Sequence, residues 1–273
     1  MNTIVAATDY SEIAENAVEY AAAVAKLKNE RLILLNDIDV SIHAENARLS
    51  ADRFQQLRQE NQYRLEQRAA SLSDKYGIDV VPKATASFLK NELAELIDEY
   101  QVYMVVMGMA AGSLFQEIWG NNTTSVIKKL TVNVLAVPEK AKFEGLKKVL
   151  FACDALHEVP DLLLNRIKNI GLILAAEVEV LFISTDPKQA QETSEGSYSL
   201  KNINDRLEGI SHHYENVNAD SIVEGIRMEV IRSNADLLIM APQKHGFWDS
   251  LVHRSKTRAM ASGLDIPLLA VRL

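Results

Sequence analysis

The sequence predicts an α/β protein made of two tandem domains, each with a doubly wound parallel sheet. Three observations predict this class. Short apolar runs alternate with amphipathic stretches, the first run of each half ends at an aspartate, and the order of the elements repeats along the chain. Strands that alternate with helices pair in parallel and take right-handed crossovers. Because the repeated order extends over the whole chain, an internal duplication explains it better than chance similarity.

The first half begins with a strand and an amphipathic helix. The segment 3–9 is apolar until it ends at Thr8 and Asp9, which is typical of a buried strand that stops at a polar turn. Helical spacing then relates five apolar residues: Ala14, Ala17, Val18, Ala21 and Val24. These residues predict a helix with one buried face.

Alternating elements continue to the end of the first half. A long amphipathic helix is predicted from about Ala44 to Tyr76, and its apolar stripe is Phe54, Leu57, Tyr63, Leu65 and Ala69. We expect that stripe to pack on its own sheet, with partner docking as an alternative for the exposed end. The further strands are predicted over 32–35, 79–84, 102–107 and 134–137, with another helix before the fourth of the five strands.

The second half repeats this order. Its first strand is predicted over 148–154, and the helix after it has apolar residues at Leu162, Leu163, Ile167, Ile170 and Leu174. The polar stretch from Asp186 to Ser199 is interpreted as a loop that passes into a helix. The remaining strands are predicted over 178–183, 211–215, 235–240 and 268–271.

The join between the halves is the charged stretch from Glu139 to Gly145, which follows Pro138. We therefore place the first domain at residues 1–140 and the second at residues 145–273.

Composition excludes some classes of function. The chain has 273 residues, 48% hydrophobic and 24% charged, with a formal net charge of −8. These are globular proportions, and the length suits two domains of ordinary size. Because phosphate contacts need a basic face, the acidic balance argues against a nucleic-acid partner and against an anionic membrane surface.

A cytoplasmic location is expected from the cysteine count and the N-terminal sequence. Cys153 is the only cysteine, so no disulfide forms within the chain, and a buried small residue is its preferred interpretation. The N-terminus does not resemble a signal peptide, and no apolar run approaches membrane-spanning length.

Ligands of open parallel sheets bind beyond the carboxyl ends of the strands, near the switch point. Three segments of the first half lie there: 7–9, 36–37 and the loop that starts at Met107. That loop has glycines at Gly108, Gly112 and Gly120, which would let the backbone approach a polyphosphate. The other interpretation is that Gly108 and Gly120 are simply turn glycines, and the residues leave both open.

These segments resemble the universal stress protein family, whose fold is a doubly wound α/β unit of the adenine nucleotide alpha hydrolase type, often duplicated. The opening 4–9 followed by Ser11 is similar to the family's opening. Nucleotide-binding members carry Gly, two residues, Gly, nine residues, and Gly followed by Ser or Thr. Here Ala111 stands at the second glycine, Gly120 matches the third only if one loop residue is missing, and Asn121 takes the Ser/Thr place.

The resemblance implies that ATP, with Mg²⁺ held mainly by its phosphates and water, binds the first domain. The adenosine part would contact the ends of the first two strands, and the phosphates would contact the glycine loop. The implied nucleotide contacts are Ala7, Thr8, Asp9, Asp37, Met107, Gly108, Ala111, Gly112, Gly120, Asn121, Asn122 and Thr123. The last strands of the two domains, 134–137 and 268–271, would meet in an internal pseudo-dimer, and a homodimer of chains is open.

The corresponding loop of the second half has lost the family's nucleotide geometry. Pro242 removes an N–H donor, Ala241 and Arg254 replace glycines, and Phe247 and Trp248 are bulky. An anion site is the sharper alternative to a solvated charged loop, and its residues would be Lys244, His245, His253, Arg254 and Lys256.

Two functional hypotheses remain. The first is a stress-response regulatory protein that binds ATP, and the second is a nucleotide-free module that binds a stress-response partner. No nucleophile with a base is evident, so an enzyme is disfavoured, although slow ATP hydrolysis stays open. His212 and His213 are adjacent on a strand and point to opposite faces, so a shared metal ion is not expected.

Overall fold

The structure is a computed structural model that describes residues 2–37, 51–85, 89–109, 130–153, 159–185, 198–241 and 265–272. These residues form two compact units, and the change from unit 1 to unit 2 falls between Phe143 and Glu144.

Unit 1 is a five-stranded parallel sheet with helices between its strands. In chain order its elements are β1 (Thr3–Thr8), α1 (Glu12–Lys28), β2 (Arg31–Asp37), α2 (Ala51–Tyr76), β3 (Val80–Thr85), α3 (Leu89–Tyr100), β4 (Val102–Met109) and β5 (Asn133–Pro138). The strand order is β3-β2-β1-β4-β5, and every pair is parallel. This is the predicted doubly wound α/β class.

Helix α1 starts and stops at the residues that its sequence favours. The Ser11 hydroxyl caps it by accepting from the Ala14 N–H at 3.3 Å, and Asn29 ends it in the left-handed conformation, with φ of 51°. All five apolar residues predicted for its buried face are buried, as are most of the residues of β1 below it.

The described part of α2 begins at Ala51, and the predicted start near Ala44 lies outside the described residues. Leu65, Ala69 and Leu72 form its buried face. Tyr63 was predicted in that face, but this prediction is wrong, since the side chain is 65% exposed. Two residues along a helix are separated by about 200°, which directs Tyr63 away from the face that Leu65 occupies.

Unit 2 has the same order of elements within its described residues. They are β6 (Lys148–Cys153), α4 (Asp161–Leu174), β7 (Glu177–Ser184), α5 (Tyr198–Leu207), β8 (His212–Asn218), α6 (Ile222–Ser233), β9 (Leu237–Met240) and β10 (Leu268–Ala270). The strand order is β10-β9-β6-β7-β8, again parallel throughout. The duplication predicted from the sequence is therefore visible in the topology of the two units.

Helix α4 corrects one more core prediction. Leu163 and Ile167 are buried as expected, but Leu162 is 51% exposed, and Leu164 takes a core position instead. Because adjacent helical residues are about 100° apart, a face centred between Leu163 and Leu164 leaves Leu162 outside it. Cys153 is buried at the end of β6, as expected of a small core residue.

Among the helices that the structure describes, none is both long and apolar enough to cross a membrane.

Candidate functional site

The candidate site of unit 1 lies at the carboxyl edge of its sheet. From β1 the chain moves outward to β2 and β3, whereas β4 and β5 lie on the other side of β1. The switch point is therefore between β1 and β4, where a crevice for a ligand opens in sheets of this kind. The end of β1, with Thr8 and Asp9, and the end of β4, with Gly108, flank that point.

Thr8 is part of the framework of this edge. Its side chain is buried, and its hydroxyl donates to Glu15 Oε1 at 2.7 Å and accepts from the Tyr10 N–H at 2.9 Å. Its carbonyl oxygen accepts from Asn36 Nδ2 at 2.7 Å, which ties the ends of β1 and β2 together. The hydroxyl of Thr8 is thus already engaged with the protein.

The turn after β1 presents a carboxylate and a strained tyrosine. Asp9 is exposed, and its Oδ1 accepts from the Ser11 N–H at 2.9 Å, so one oxygen fixes the turn. Tyr10 has a φ of 64°, which is rare for a bulky residue. Backbone strain of this kind concentrates at functional sites.

The Tyr10 ring lies against helix α2. The Arg64 guanidinium stacks on it, with Cζ at 3.7 Å from the ring centroid. The Tyr10 hydroxyl is buried and has no hydrogen-bond partner among the described residues. Burial raises the pKa of this hydroxyl, and the charge of Arg64 opposes the rise.

Two further contacts fix α2 on the same edge. Asn61 Nδ2 donates to Asn36 Oδ1 at 2.7 Å, at the end of β2. Arg68 bridges two carboxylates of α1, with Nε at 2.7 Å from Glu15 Oε2 and Nη2 at 2.8 Å from Glu19 Oε1. Thr8, Glu15 and Arg68 are therefore one continuous polar chain from β1 to α2.

The carboxyl group of Glu19 in unit 1 has a strongly lowered pKa. Desolvation by burial would raise its pKa, but hydrogen bonds from Lys75, Tyr76 and Arg68 outweigh burial and lower the pKa to about 2. Lys75 Nζ lies 2.7 Å and Tyr76 Oη 2.6 Å from Glu19 Oε2. Glu19 is thus a structural anion that joins α1 to α2.

Gly108 is required by packing. A Cβ added to it would lie 2.8 Å from both Cγ2 and the backbone oxygen of Ile13, in the first turn of α1. Gly108 does not have a positive φ, so close approach and not a turn explains the glycine. The neighbouring Met107 is buried in β4.

Six of the twelve predicted contacts lie in the described residues. The structure brings Ala7, Thr8, Asp9 and Asp37 together at the ends of β1 and β2, with Met107 and Gly108 at the end of β4. The other six lie outside the described residues: Ala111, Gly112, Gly120, Asn121, Asn122 and Thr123. The basic residues predicted in the second half, Lys244, His245, His253, Arg254 and Lys256, also lie outside them.

Sequence reasoning placed Asn36 at this edge but missed its partner Asn61 and the carboxylate of Glu15. Glu15, Asn36 and Asn61 are polar residues on helices and strands, and each has a partner distant in sequence. The polar Asn36 directly after an apolar run was the one available signal. Within the described part of the chain, no three His, Cys, Asp or Glu side chains are grouped so as to hold a metal ion.

Comparison with known proteins agrees with this architecture. The model of the universal stress protein family matches residues 1–138, which is half of the chain and all of β1 to β5. The chain belongs to the universal stress protein family. No curated protein matches its sequence significantly.

Solved structures show the same fold over both halves of this universal stress protein. A universal stress protein from Archaeoglobus fulgidus DSM 4304 matches with a TM-score of 0.72 and 17% identity, covering 99% of this chain and 96% of that one. A functionally unknown protein from Pseudomonas aeruginosa PAO1 matches with a TM-score of 0.63 and 15% identity, covering 99% and 92%. A putative universal stress protein from Pseudomonas aeruginosa UCBPP-PA14 has a TM-score of 0.63 and 14% identity, with the same coverage.

Proposed function

We propose that this universal stress protein binds an adenine nucleotide, ATP, at the carboxyl edge of unit 1 and acts as a stress-response regulator. The observation that carries the proposal is the turn Asp9-Tyr10-Ser11 at the switch point. It holds an exposed carboxylate in a fixed position, on a backbone strained at Tyr10. A preorganised polar turn beside the crevice of an open parallel sheet is what a small ligand requires.

The proposal assigns different roles to the residues at this edge. The carboxylates of Asp9 and Asp37 would accept hydrogen bonds from the adenosine part. Because the Thr8 hydroxyl is engaged with Glu15, Thr8 would act by positioning the turn. The phosphates would extend from Gly108 towards the loop that contains Gly112 and Gly120, and Mg²⁺ would be held mainly by the phosphates and water.

The regulatory role follows from binding without turnover. A nucleotide that binds one conformation better than another shifts the population towards it, so nucleotide level can be signalled without chemistry. We assign no catalytic base, and the proposal is a cytoplasmic binding protein, not an enzyme. A protein partner would bind selectively to the nucleotide-bound conformation.

The test is calorimetric titration with ATP and Mg²⁺, together with mass spectrometry of the purified protein under gentle conditions to detect carried nucleotide. We expect binding by the wild type, and binding at least tenfold weaker in Asp9→Ala, since a carboxylate hydrogen bond contributes about 1.5–3 kcal/mol. Asp98→Ala is the matched control, because Asp98 is an exposed carboxylate on α3 near the opposite edge of the sheet. The absence of heat at millimolar ATP contradicts the proposal.

Gly108 favours a second candidate, the nucleotide-free interaction module. Its close contact with Ile13 explains the glycine without any ligand, and Ala111 already departs from the family's glycine pattern. If titration detects no nucleotide while the protein is folded, the module is the function to pursue.

A further inference from the structure

A cluster of ionisable side chains lies at the amino-terminal edge of the sheet of unit 2, away from the strand ends discussed above. Strands β6, β7 and β8 and helix α6 contribute to it. Its members are Lys148, Glu177, Glu179, His213, Glu215, Glu229 and Arg232. A cavity of about 40 Å³ opens beside Glu179 and His213, which is room for a water molecule.

Glu179 is a buried acid within the apolar stretch of β7. It lies between Val178 and Val180 in β7 and is only 5% exposed. Its Oε2 is 3.0 Å from His213 Nε2, but its buried Oε1 has no donor among the described residues. The nearest cation, Arg232 Nη2, is 3.7 Å from Oε1, which is beyond hydrogen-bond distance.

A second buried acid faces Glu179 from α6. Glu229 is 2% exposed, and both of its oxygens accept from Arg232 Nε, at 2.8 and 3.0 Å. Arg232 Nη2 lies 2.7 Å from Glu229 Oε1 and 3.7 Å from Glu179 Oε1, so the two carboxyl groups lie beside the same guanidinium nitrogen. Two carboxyl groups form a hydrogen bond only when one of them carries a proton. A proton shared between the two groups would supply the partner that Glu179 Oε1 lacks among the described residues.

We propose that Glu179 and Glu229 form a proton-binding site, whose shared proton fastens α6 to β7 below neutral pH and whose release at higher pH loosens that helix. Without the proton, two buried carboxylates face each other with Arg232 as their shared cation, and Arg232 is already bidentate to Glu229. The two carboxylates then repel each other, and this repulsion weakens the packing of α6 on β7. The inference is independent of nucleotide binding in unit 1.

The electrostatic surroundings agree with this geometry. Burial, followed by the hydrogen bond and charge of Glu229, raises the pKa of Glu179 to about 7, and His213 opposes the rise. The remaining charged groups have their own partners. Lys148 Nζ donates to the Ser233 carbonyl at 3.1 Å, and Arg232 Nη2 lies 3.2 Å from Glu215 Oε2.

His213 of the edge strand β8 lies beside both acids of β7. Its Nδ1 is 3.3 Å from Glu177 Oε1, and its Nε2 is 3.0 Å from Glu179 Oε2. The imidazole ring therefore joins the edge strand β8 to two acids of β7.

The sign of the pH dependence follows from linkage. The folded chain holds the proton of Glu179 more tightly than the unfolded chain, whose glutamate has its ordinary pKa. The stabilisation is therefore complete below that ordinary value and is lost as the pH rises through about 7. One proton of difference changes the folding equilibrium constant by up to tenfold per pH unit between those limits.

The experiment is urea unfolding of the full chain at pH values from 5 to 8, monitored by a signal that reports on unit 2. Between pH 5 and 6.5 the folded-to-unfolded ratio of the wild type should fall as the pH rises. This fall should be steeper than that of Glu179→Gln, by up to tenfold per pH unit. Glu208→Gln is the control, because it removes an exposed carboxylate of the same unit and should keep the wild-type profile. Equal slopes in the wild type and Glu179→Gln overturn the proposal.

A second measurement on the wild type covers the case in which Glu179→Gln does not fold. Side-chain ¹³C NMR should show the Glu179 carboxyl titrating near neutral pH. Hydrogen-exchange protection factors of the α6 amides should decrease over the same range. Titration of Glu179 in the ordinary range of glutamate, or unchanged protection of α6, overturns the proposal.

Discussion

At the scale of single residues, two positions at the carboxyl edge of unit 1 are required by the local backbone and also lie beside the candidate site. Gly108 accommodates the first turn of α1, and Tyr10 turns the chain between β1 and α1 with a positive φ. The same residues would contact or border a nucleotide. Stability and binding measurements on one variant therefore separate the two roles.

Gly108→Ala should lower the free energy of unfolding by about 1–3 kcal/mol, the usual cost of overpacking. The added methyl group would meet Ile13 at 2.8 Å, and one of the contacted atoms is the backbone oxygen. Ile13→Ala removes the side-chain contact but not the backbone contact, so the double variant should remain less stable than Ile13→Ala alone. Denaturant unfolding measures both differences. A neutral Gly108→Ala contradicts the packing role.

Tyr10→Gly should be more stable than Tyr10→Ala by about 1–2 kcal/mol, because only glycine adopts a φ of 64° without steric cost. Both variants lose the contact with Arg64, so their difference isolates the backbone. Thermal unfolding of the two variants gives this difference, and the reverse order of stability would show that the turn is unstrained.

At the scale of elements, ion pairs join α1 to α2 and fix α2 above the candidate site. Glu19 receives hydrogen bonds from three side chains of α2. Arg68 connects it further to Glu15 and hence to Thr8 at the end of β1. A substitution that breaks the contacts between α1 and α2 should therefore also alter the turn at Asp9.

Glu19→Gln should cost about 1–2 kcal/mol of stability at pH 7, after allowance for the partial exposure of the group. The pKa of Glu19 is lowered to about 2, so its stabilisation is present above the ordinary glutamate pKa and is lost as the pH falls towards 2. Between pH 5 and 2 the variant should lose less stability than the wild type does. Acid unfolding monitored by circular dichroism measures this difference. Glu95→Gln, an exposed residue on α3, is the control, and an acid profile of Glu19→Gln that matches the wild type contradicts this role.

At the scale of the whole molecule, duplication has given two sheets with the same order of elements and different chemistry. Unit 1 has its polar network at the carboxyl edge, whereas the cluster of unit 2 lies at the amino-terminal edge, with Glu179 and Glu229. The sequence of the second half also replaces the glycines of the nucleotide loop, at Ala241 and Arg254. The two halves therefore carry different polar groups on one fold.

We expect one ATP per chain. Calorimetry of the wild type should give a stoichiometry near one, and ATP should stabilise the chain by RT ln(1 + [L]/Kd), about 2.7 kcal/mol at a hundredfold excess over Kd. Asp9→Ala should reduce this stabilisation by lowering affinity. Two equivalent sites per chain would show that the second half has kept a nucleotide site.

The fold class, the duplication and the order of the elements could all be predicted from the sequence. These features depend on short-range patterns, namely apolar runs that alternate with amphipathic helical stretches. The residues at the ends of α1, Ser11 and Asn29, are likewise local signals. Two residues that were predicted to be buried, Tyr63 and Leu162, are exposed, because they lie outside the faces that their helices bury.

Which polar groups are in contact could not be predicted from the sequence and depends on the packing of distant elements. Glu15 with Arg68, Asn36 with Asn61, and Glu179 with Glu229 come from different elements. Whether such a group is a charged partner, a proton carrier or a surface residue depends on burial and on neighbours distant in the chain. Likewise, the reason for glycine at position 108 is the backbone of Ile13, 95 residues earlier, and no local pattern contains that contact.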